Sequence, residues 1–340
     1  MHVPDGFLNA PTSVATGAVA ATGIAVALRK AQEELDERTA PLAGLTAAFV
    51  FAGQMINFPV GVGTSGHLIG GALAAVLVGP WTAVLVLSVV LMVQSLLFAD
   101  GGLTAIGTNV TLIGITTVVV GWLVTKAVLT VLPKRPASVV PAAALGAFAS
   151  VPVAAAVFVL LFGIGGEASL PFGPLLGTML GWHLLIGTGE AVITGLTVSA
   201  VVAVRPDLVY AARGLRPVLQ LRQADGSLIP TPAGRPDTTP AGVGLRGLLV
   251  VGGLVTALIA GVLSFLASGS PDGLERAAED QGFAARDHAF GSFSLADYGE
   301  ISGIPVGVAG LLGLVVTVAI GWTVFRFVRR WAQRDESITT

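Results

Sequence analysis

Long apolar runs separated by short polar turns decide what this chain can become. A bilayer core about 30 Å thick is crossed by a helix of about 20 apolar residues. Helices satisfy every backbone polar group within themselves, which lipid requires. Nine runs qualify, over residues 12–29, 41–58, 66–79, 81–98, 105–131, 137–163, 183–204, 245–268 and 304–328. They predict an all-α integral membrane protein with about nine transmembrane helices. The third run is short for a crossing, so it is either tilted or begins inside the loop before it. Hydrophobic residues make up 54% of the chain and charged residues 11%. The 45 glycines suit close helix packing in lipid.

Basic residues orient the bundle. If nine spans alternate, Arg29, Lys30, Lys134, Arg135, Arg205, Arg213 and the arginines after span nine all fall on one side. Only Arg276 and Arg286 fall on the other. The positive-inside rule then places the N-terminus outside and the C-terminus in the cytoplasm, in a cell membrane. Residues 205–245 are rich in Pro, Gly and Arg and read as a cytoplasmic linker without a core of its own. They separate a seven-span domain, 1–204, from a two-span module, 246–330, whose outer loop is acidic and mostly polar.

The chain opens Met1-His2-Val3-Pro4-Asp5-Gly6-Phe7. No basic segment or apolar run precedes Pro4, so the mature chain is expected to begin at Met1. A free amine, the His2 backbone nitrogen and the His2 ring wrap one ion in fused chelate rings. Three nitrogens in a plane suit Ni(II), Cu(II) or Co(II). The other reading is an ordinary histidine on a frayed terminus. The chain has no Cys and four His, so a transition-metal site must use imidazole, carboxylate or backbone donors. His67, beside Gly63 and Gly66 on the same outer face, is the candidate fourth nitrogen.

Gln54, Asn57, Gln94, Thr108 and Asn109 lie at outer span ends. Unpaired amides are costly in hydrocarbon, so these face the bundle interior, either around an ion path or in helix-to-helix hydrogen bonds. His183 and Glu190 stand seven apart on one helix face, as a second metal site, a proton relay or a structural pair. The structural pair is the preferred reading, because seven residues is too far for shared ligation. Gly17, Ala21 and Ala25 form a small-residue stripe for internal packing or for docking a subunit.

At these residues the chain resembles a known family. The first seven residues and the stretch Gly181–Glu190 are similar to the CbiM/NikM proteins. These are substrate-capture components of energy-coupling factor (ECF) transporters for cobalt and nickel. Pro271-Asp272-Gly273-Leu274-Glu275 resembles the PDGLE domain of the small CbiN/NikN subunits, so the chain is similar to an M–N fusion. The resemblance implies one Ni2+ or Co2+ held by four nitrogens, from the Met1 amine, the His2 backbone and ring, and His67. It implies no cofactor beyond that cargo. It also implies partners: a transmembrane coupling (T) subunit and two cytoplasmic ATPases. Asp5 would anchor the terminal turn or supply charge behind the ligands. The PDGLE loop would assist loading, with Asp280, Asp287 and His288 either gathering the ion or merely solvated. The chain has no Gly-x-x-x-x-Gly-Lys-Ser/Thr motif, so the ATPase must be a partner. Two rival functions are a stand-alone proton-coupled transporter using Glu190 and an intramembrane metalloenzyme using His67, His183 and Glu190. The second lacks an HExxH motif.

Overall fold

The computed structural model describes residues 1–36, 38–61, 63–215, 220–222, 228–230, 244–287, 295–299 and 302–339. Helix α1 (Ala10–Lys30) starts where Asn9 accepts the Thr12 N–H at 3.0 Å, with Pro11 in the first turn. Helix α2 (Thr39–Gln54) stops where the chain turns into a small antiparallel hairpin, β1 (Phe58–Gly61) and β2 (Thr64–Gly66). Helix α3 (Gly71–Val78) follows. Helix α4 (Pro80–Val93) runs on into a π turn over Gln94–Phe98. Helix α5 (Ile106–Asn109) continues through a second π segment into α6 (Thr117–Val131). Helices α7 (Val139–Gly165) and α8 (Phe172–Val204) pack along one another.

Two elements differ from the reading of the sequence. The third run forms a helix of only eight residues, about 12 Å long at 1.5 Å per residue. All eight are buried, between α2, α4, α6 and α7. It is apolar all round because protein, rather than lipid, surrounds it. Helix α8 begins at Phe172, well before the expected 183. Gly173, Gly177 and Gly181 lie within it, and Pro174 lies in the first turn, where its missing N–H costs nothing. Among the described residues, six helical segments are long and apolar enough to cross a membrane: 10–33, 80–98, 106–131, 136–165, 172–204 and 306–330.

In the expected linker, residues 206–212 form two 3-10 turns, with Val209 and Ala212 buried beneath α3. Strands β3 (Gln220–Arg222) and β4 (Leu228–Pro230) pair antiparallel. Residues 216–219, 223–227 and 231–243 of the linker, with Arg216 and Arg235, lie outside the described residues.

Helices α9 (Leu245–Gly261) and α11 (Val306–Thr339) pack on each other and on α2. Gly313 of α11 lies so close to the bundle that a Cβ there meets Phe98 Cζ at 2.6 Å. Between these two helices, α10 (Gly273–Gln281) lies over the end of the bundle where Met1 sits. It carries a full capping box: Asp272 accepts from Leu274 and Glu275, and Glu275 accepts the Asp272 N–H.

Candidate metal centre

The first residues are tied down. Asn109 brackets Val3, accepting its N–H at 2.7 Å and donating to its carbonyl at 3.0 Å. The Gly102 N–H also reaches the Val3 carbonyl, at 2.9 Å. Asp5 accepts the N–H groups of Leu103 (3.0 Å) and Thr104 (2.7 Å) and the Thr104 hydroxyl. Gly6 turns the chain with φ 85°, and Phe7 meets the edge of Phe283 at 5.0 Å. Met1 is 2% exposed and His2 9%, so the terminus is a buried element and not a frayed end.

Potential donors converge there. The Met1 amine nitrogen lies 2.6 Å from His67 Nε2 and 2.5 Å from Asp272 Oδ2. His67 Nδ1 donates to the Leu68 carbonyl at 2.9 Å, which turns the Nε2 lone pair toward the amine. The His2 ring stacks on His67, with centroids 4.9 Å apart and planes 13° from parallel. His2 Nδ1 faces Asp100 Oδ1 at 3.0 Å, and its buried Nε2 has no hydrogen-bond partner. A cavity of about 850 Å³ opens onto His2, His67, Asp100, Asp272 and Tyr298. Burial pushes the Asp272 carboxyl up, but the terminal amine and His67 outweigh it and hold it well below the usual carboxylate range. Burial also opposes ionisation of Asp100, and His2 together with the Tyr298 hydroxyl, which donates to it at 2.6 Å, brings it below its ordinary value. Tyr298 in turn is pushed up by burial and by the Asp100 charge.

Residues 2–208 match the family described as the cobalt uptake substrate-specific transmembrane region, CbiM. The chain belongs to the CbiM family. Residues 246–330 match the PDGLE domain. Over 214 residues the chain is 38% identical to a putative fused nickel transport protein NikMN of Archaeoglobus fulgidus, covering 62% of this chain and 68% of that one. Over 210 residues it is 35% identical to a putative metal transport protein of Haloquadratum walsbyi, covering 62% and 94%. A crystal structure described as a transition metal transporter aligns with a TM-score of 0.53 at 30% identity, over 59% of this chain and 92% of the other. This CbiM-family protein is therefore a multi-pass membrane component of cobalt or nickel transport.

The other residues singled out in the sequence are spread over the cavity, α8, α1 and the outer loop. Asn57 and Gln54 line the cavity of the CbiM-family fold. The Asn57 carbonyl accepts from Ser268, at 2.8 Å. Gln94 reaches Tyr298 at 3.3 Å, and the buried Oε1 atoms of Gln54 and Gln94 have no partner. Glu190 accepts the N–H groups of Ile69 (2.6 Å) and Gly70 (2.7 Å), and so shapes the backbone just after His67. His183 donates from Nδ1 to the Met179 carbonyl at 2.8 Å, with Nε2 unpartnered, and packs against Gly273. The small-residue stripe divides. Gly107 approaches the backbone of Gly17, while Ala21 and Ala25 are exposed. In the outer loop Asp280 pairs with Arg276 at 3.1 Å, and His288 lies outside the described residues.

Reading the sequence missed Asp100, Asp272 and Tyr298. Asp272 was visible as part of a motif, but nothing local joins it to Met1. Asp100, next to Gly101-Gly102 at a span end, was the one usable signal.

Proposed function

We propose that this chain is the substrate-capture component of an ATP-driven ECF transporter and holds Ni2+ or Co2+ as cargo. Residues 1–204 would form the capture domain, 205–245 the cytoplasmic linker and 246–330 the PDGLE module. The Met1 amine, the His2 backbone nitrogen, His2 Nδ1 and His67 Nε2 are the ligands of this reading. The observation that carries it is the buried Met1 amine 2.6 Å from the lone-pair nitrogen of His67, with the His2 ring stacked alongside. Only Nδ1 of His2 closes a chelate ring with its own backbone nitrogen, so loading exchanges Asp100 for the ion at that atom. The backbone nitrogen binds as an anion after losing its proton, and capture weakens as pH falls. Planar four-nitrogen ligation favours nickel over cobalt. The affinity order alone favours copper, so metal supply and partners also select.

In this proposal a T subunit and two ATPases drive release, and the open Ala21 and Ala25 face of α1, continuing from Gly17, is where a subunit docks. An outside N-terminus is supported by Arg29, Lys30, Lys134, Arg135, Arg205 and Arg213, all at helix ends away from Met1. The two hydrogen bonds at Glu190 support a shaping role there rather than proton carriage.

The test is metal loading of the purified chain with its native terminus, beside a chain carrying one extra residue before Met1. The native chain is expected to bind one ion and the extended chain none. Equal binding by both excludes the amine as a ligand.

A further inference from the structure

The last helix carries a site of a different kind, far from the metal centre. We infer that the face of α11 from Leu314 to Arg329 binds an anionic phospholipid. An acyl chain lies along its groove, and the phosphate meets Arg326 and Arg329. No ligand of the captured ion takes part, so this inference stands apart from the capture reading.

Depth in the membrane is the first argument. An added Cβ on Gly310 would meet Met55 Cε at 2.6 Å, and one on Gly321 would lie 3.9 Å from Ala47 Cβ. Helix α11 therefore runs antiparallel to α2. Met55 lines the cavity at the metal centre, so the later turns of α11 lead away from it. From Val306 to Arg326 the helix rises about 30 Å at 1.5 Å per residue, the thickness of the hydrocarbon core. Arg326 thus stands at headgroup level, and Trp322 one turn inside the hydrocarbon.

Shape is the second. Leu314, Val315, Val318, Ala319 and Trp322 line an apolar groove of about 470 Å³. Val315 is 66% exposed and Trp322 56%, so protein leaves this face open. At 3.6 residues per turn Val315, Trp322 and Arg329, seven apart, lie on one line along the helix, flanked by Val318 and Arg326. The groove therefore ends on two guanidinium groups. A phospholipid presents the same order, apolar tail and then phosphate.

Unused donors are the third. Arg326 Cζ lies over the Trp322 ring, 4.7 Å from its centroid. Stacking engages the flat face of the guanidinium and leaves the N–H fork at its edge free for bidentate bonds to phosphate. The buried Nε of Arg329 has no hydrogen-bond partner. A buried donor left unmade is costly, and a phosphate oxygen satisfies it. Among the described residues no carboxylate pairs with Arg326, Arg329 or Arg330. Arg213 makes the contrast: it also stacks on a ring, Tyr210 at 4.7 Å, but the Glu34 and Asp36 carboxylates are within its electrostatic reach. A zwitterionic headgroup brings its own cation to the phosphate, whereas an anionic one offers its charge to the arginines. Charge therefore selects the anionic lipid.

The full-length protein is reconstituted into phosphatidylcholine vesicles containing a graded fraction of phosphatidylglycerol with brominated tails, or of phosphatidylcholine with the same tails. Bromine quenches tryptophan at contact, and the Trp322 signal is read as native protein minus Trp322→Phe. Half-quenching is expected at a roughly tenfold lower fraction of phosphatidylglycerol than of phosphatidylcholine. Arg326 is exposed, so Arg326→Gln leaves the bundle packed; it is expected to remove most of that difference. Arg135→Gln, which removes one exposed charge elsewhere on the basic side, is expected to leave it in place. Equal quenching of the native protein by the two lipids makes this ordinary boundary lipid and overturns the inference. A difference that survives Arg326→Gln, or falls equally in Arg135→Gln, assigns it to the general surface charge and also overturns it. Quenching by neither lipid means that protein covers the face, a second copy or a partner helix, and overturns it as well.

Discussion

Asn109 shows how much a single side chain carries. It satisfies both the N–H and the carbonyl of Val3, two residues from the amine. Asn109→Ala leaves the Val3 N–H buried and unpaired, at a cost of about 1–3 kcal/mol, and leaves the Val3 carbonyl with the Gly102 N–H alone. Groups that orient ligands are typically worth about 10–100-fold in metal affinity, and a loss in that range is expected in nickel titration of this variant. Asp272 makes a second case, now for acid. Its folded pKa is depressed below 3.8, so its contribution is present above that value and is lost as pH falls through the folded pKa. Thermal unfolding of metal-free protein in detergent should therefore show Asp272→Asn clearly less stable than native near neutral pH. The gap should narrow below about pH 4. A gap that does not change with pH would assign the effect to packing. Asn109 was legible as a buried amide at a span end. Its partner was not, because the Val3 backbone carries no sequence signature.

Short contacts between elements hold the centre together. Glu190 of α8 ties down the Ile69 and Gly70 amides that lead from His67 into α3. Glu190→Gln keeps one acceptor and points an NH2 group at a donor. It is expected to lower thermal stability and nickel affinity together. Lost uptake with unchanged binding would instead revive proton coupling through this residue. Gly273 of α10 reports on docking of the PDGLE segment. Gly273→Ala forces a methyl into Ile186 and His183, and overpacking of that kind costs about 1–3 kcal/mol. Protease sensitivity of the 262–303 region is expected to rise while the helical circular dichroism of the bundle holds. The seven-residue spacing of His183 and Glu190 was legible as one helix face. Their division of labour was not, since one meets the His67 loop and the other the PDGLE glycine.

At the scale of the whole molecule, the PDGLE module is built into the bundle rather than tethered to it. Helix α11 seats Gly313 against Phe98, and Tyr298 stacks on the same ring at 4.8 Å while donating to Asp100. The cavity is thus lined both by the CbiM-matching part of the chain and by the PDGLE domain. In reconstituted membranes, uptake of nickel or cobalt is expected only with T and ATPase subunits present and ATP supplied on the cytoplasmic side. Uptake by the lone chain under a proton gradient would establish the rival transporter.

The sequence by itself determined the membrane class and the run of apolar helices, and it singled out the terminus with its adjacent nitrogens. Each depends on residues close together in the chain, where apolar length and adjacent nitrogens are read directly. Tertiary structure decided that α3 is an interior half-helix, that α8 runs through its glycines, and that Asp100 and Asp272 join the centre. Asp272 meets Met1 across 271 positions. No local pattern encodes that meeting. It arises when α9, α10 and α11 pack on the bundle and bury an ammonium and a carboxylate that must then find each other.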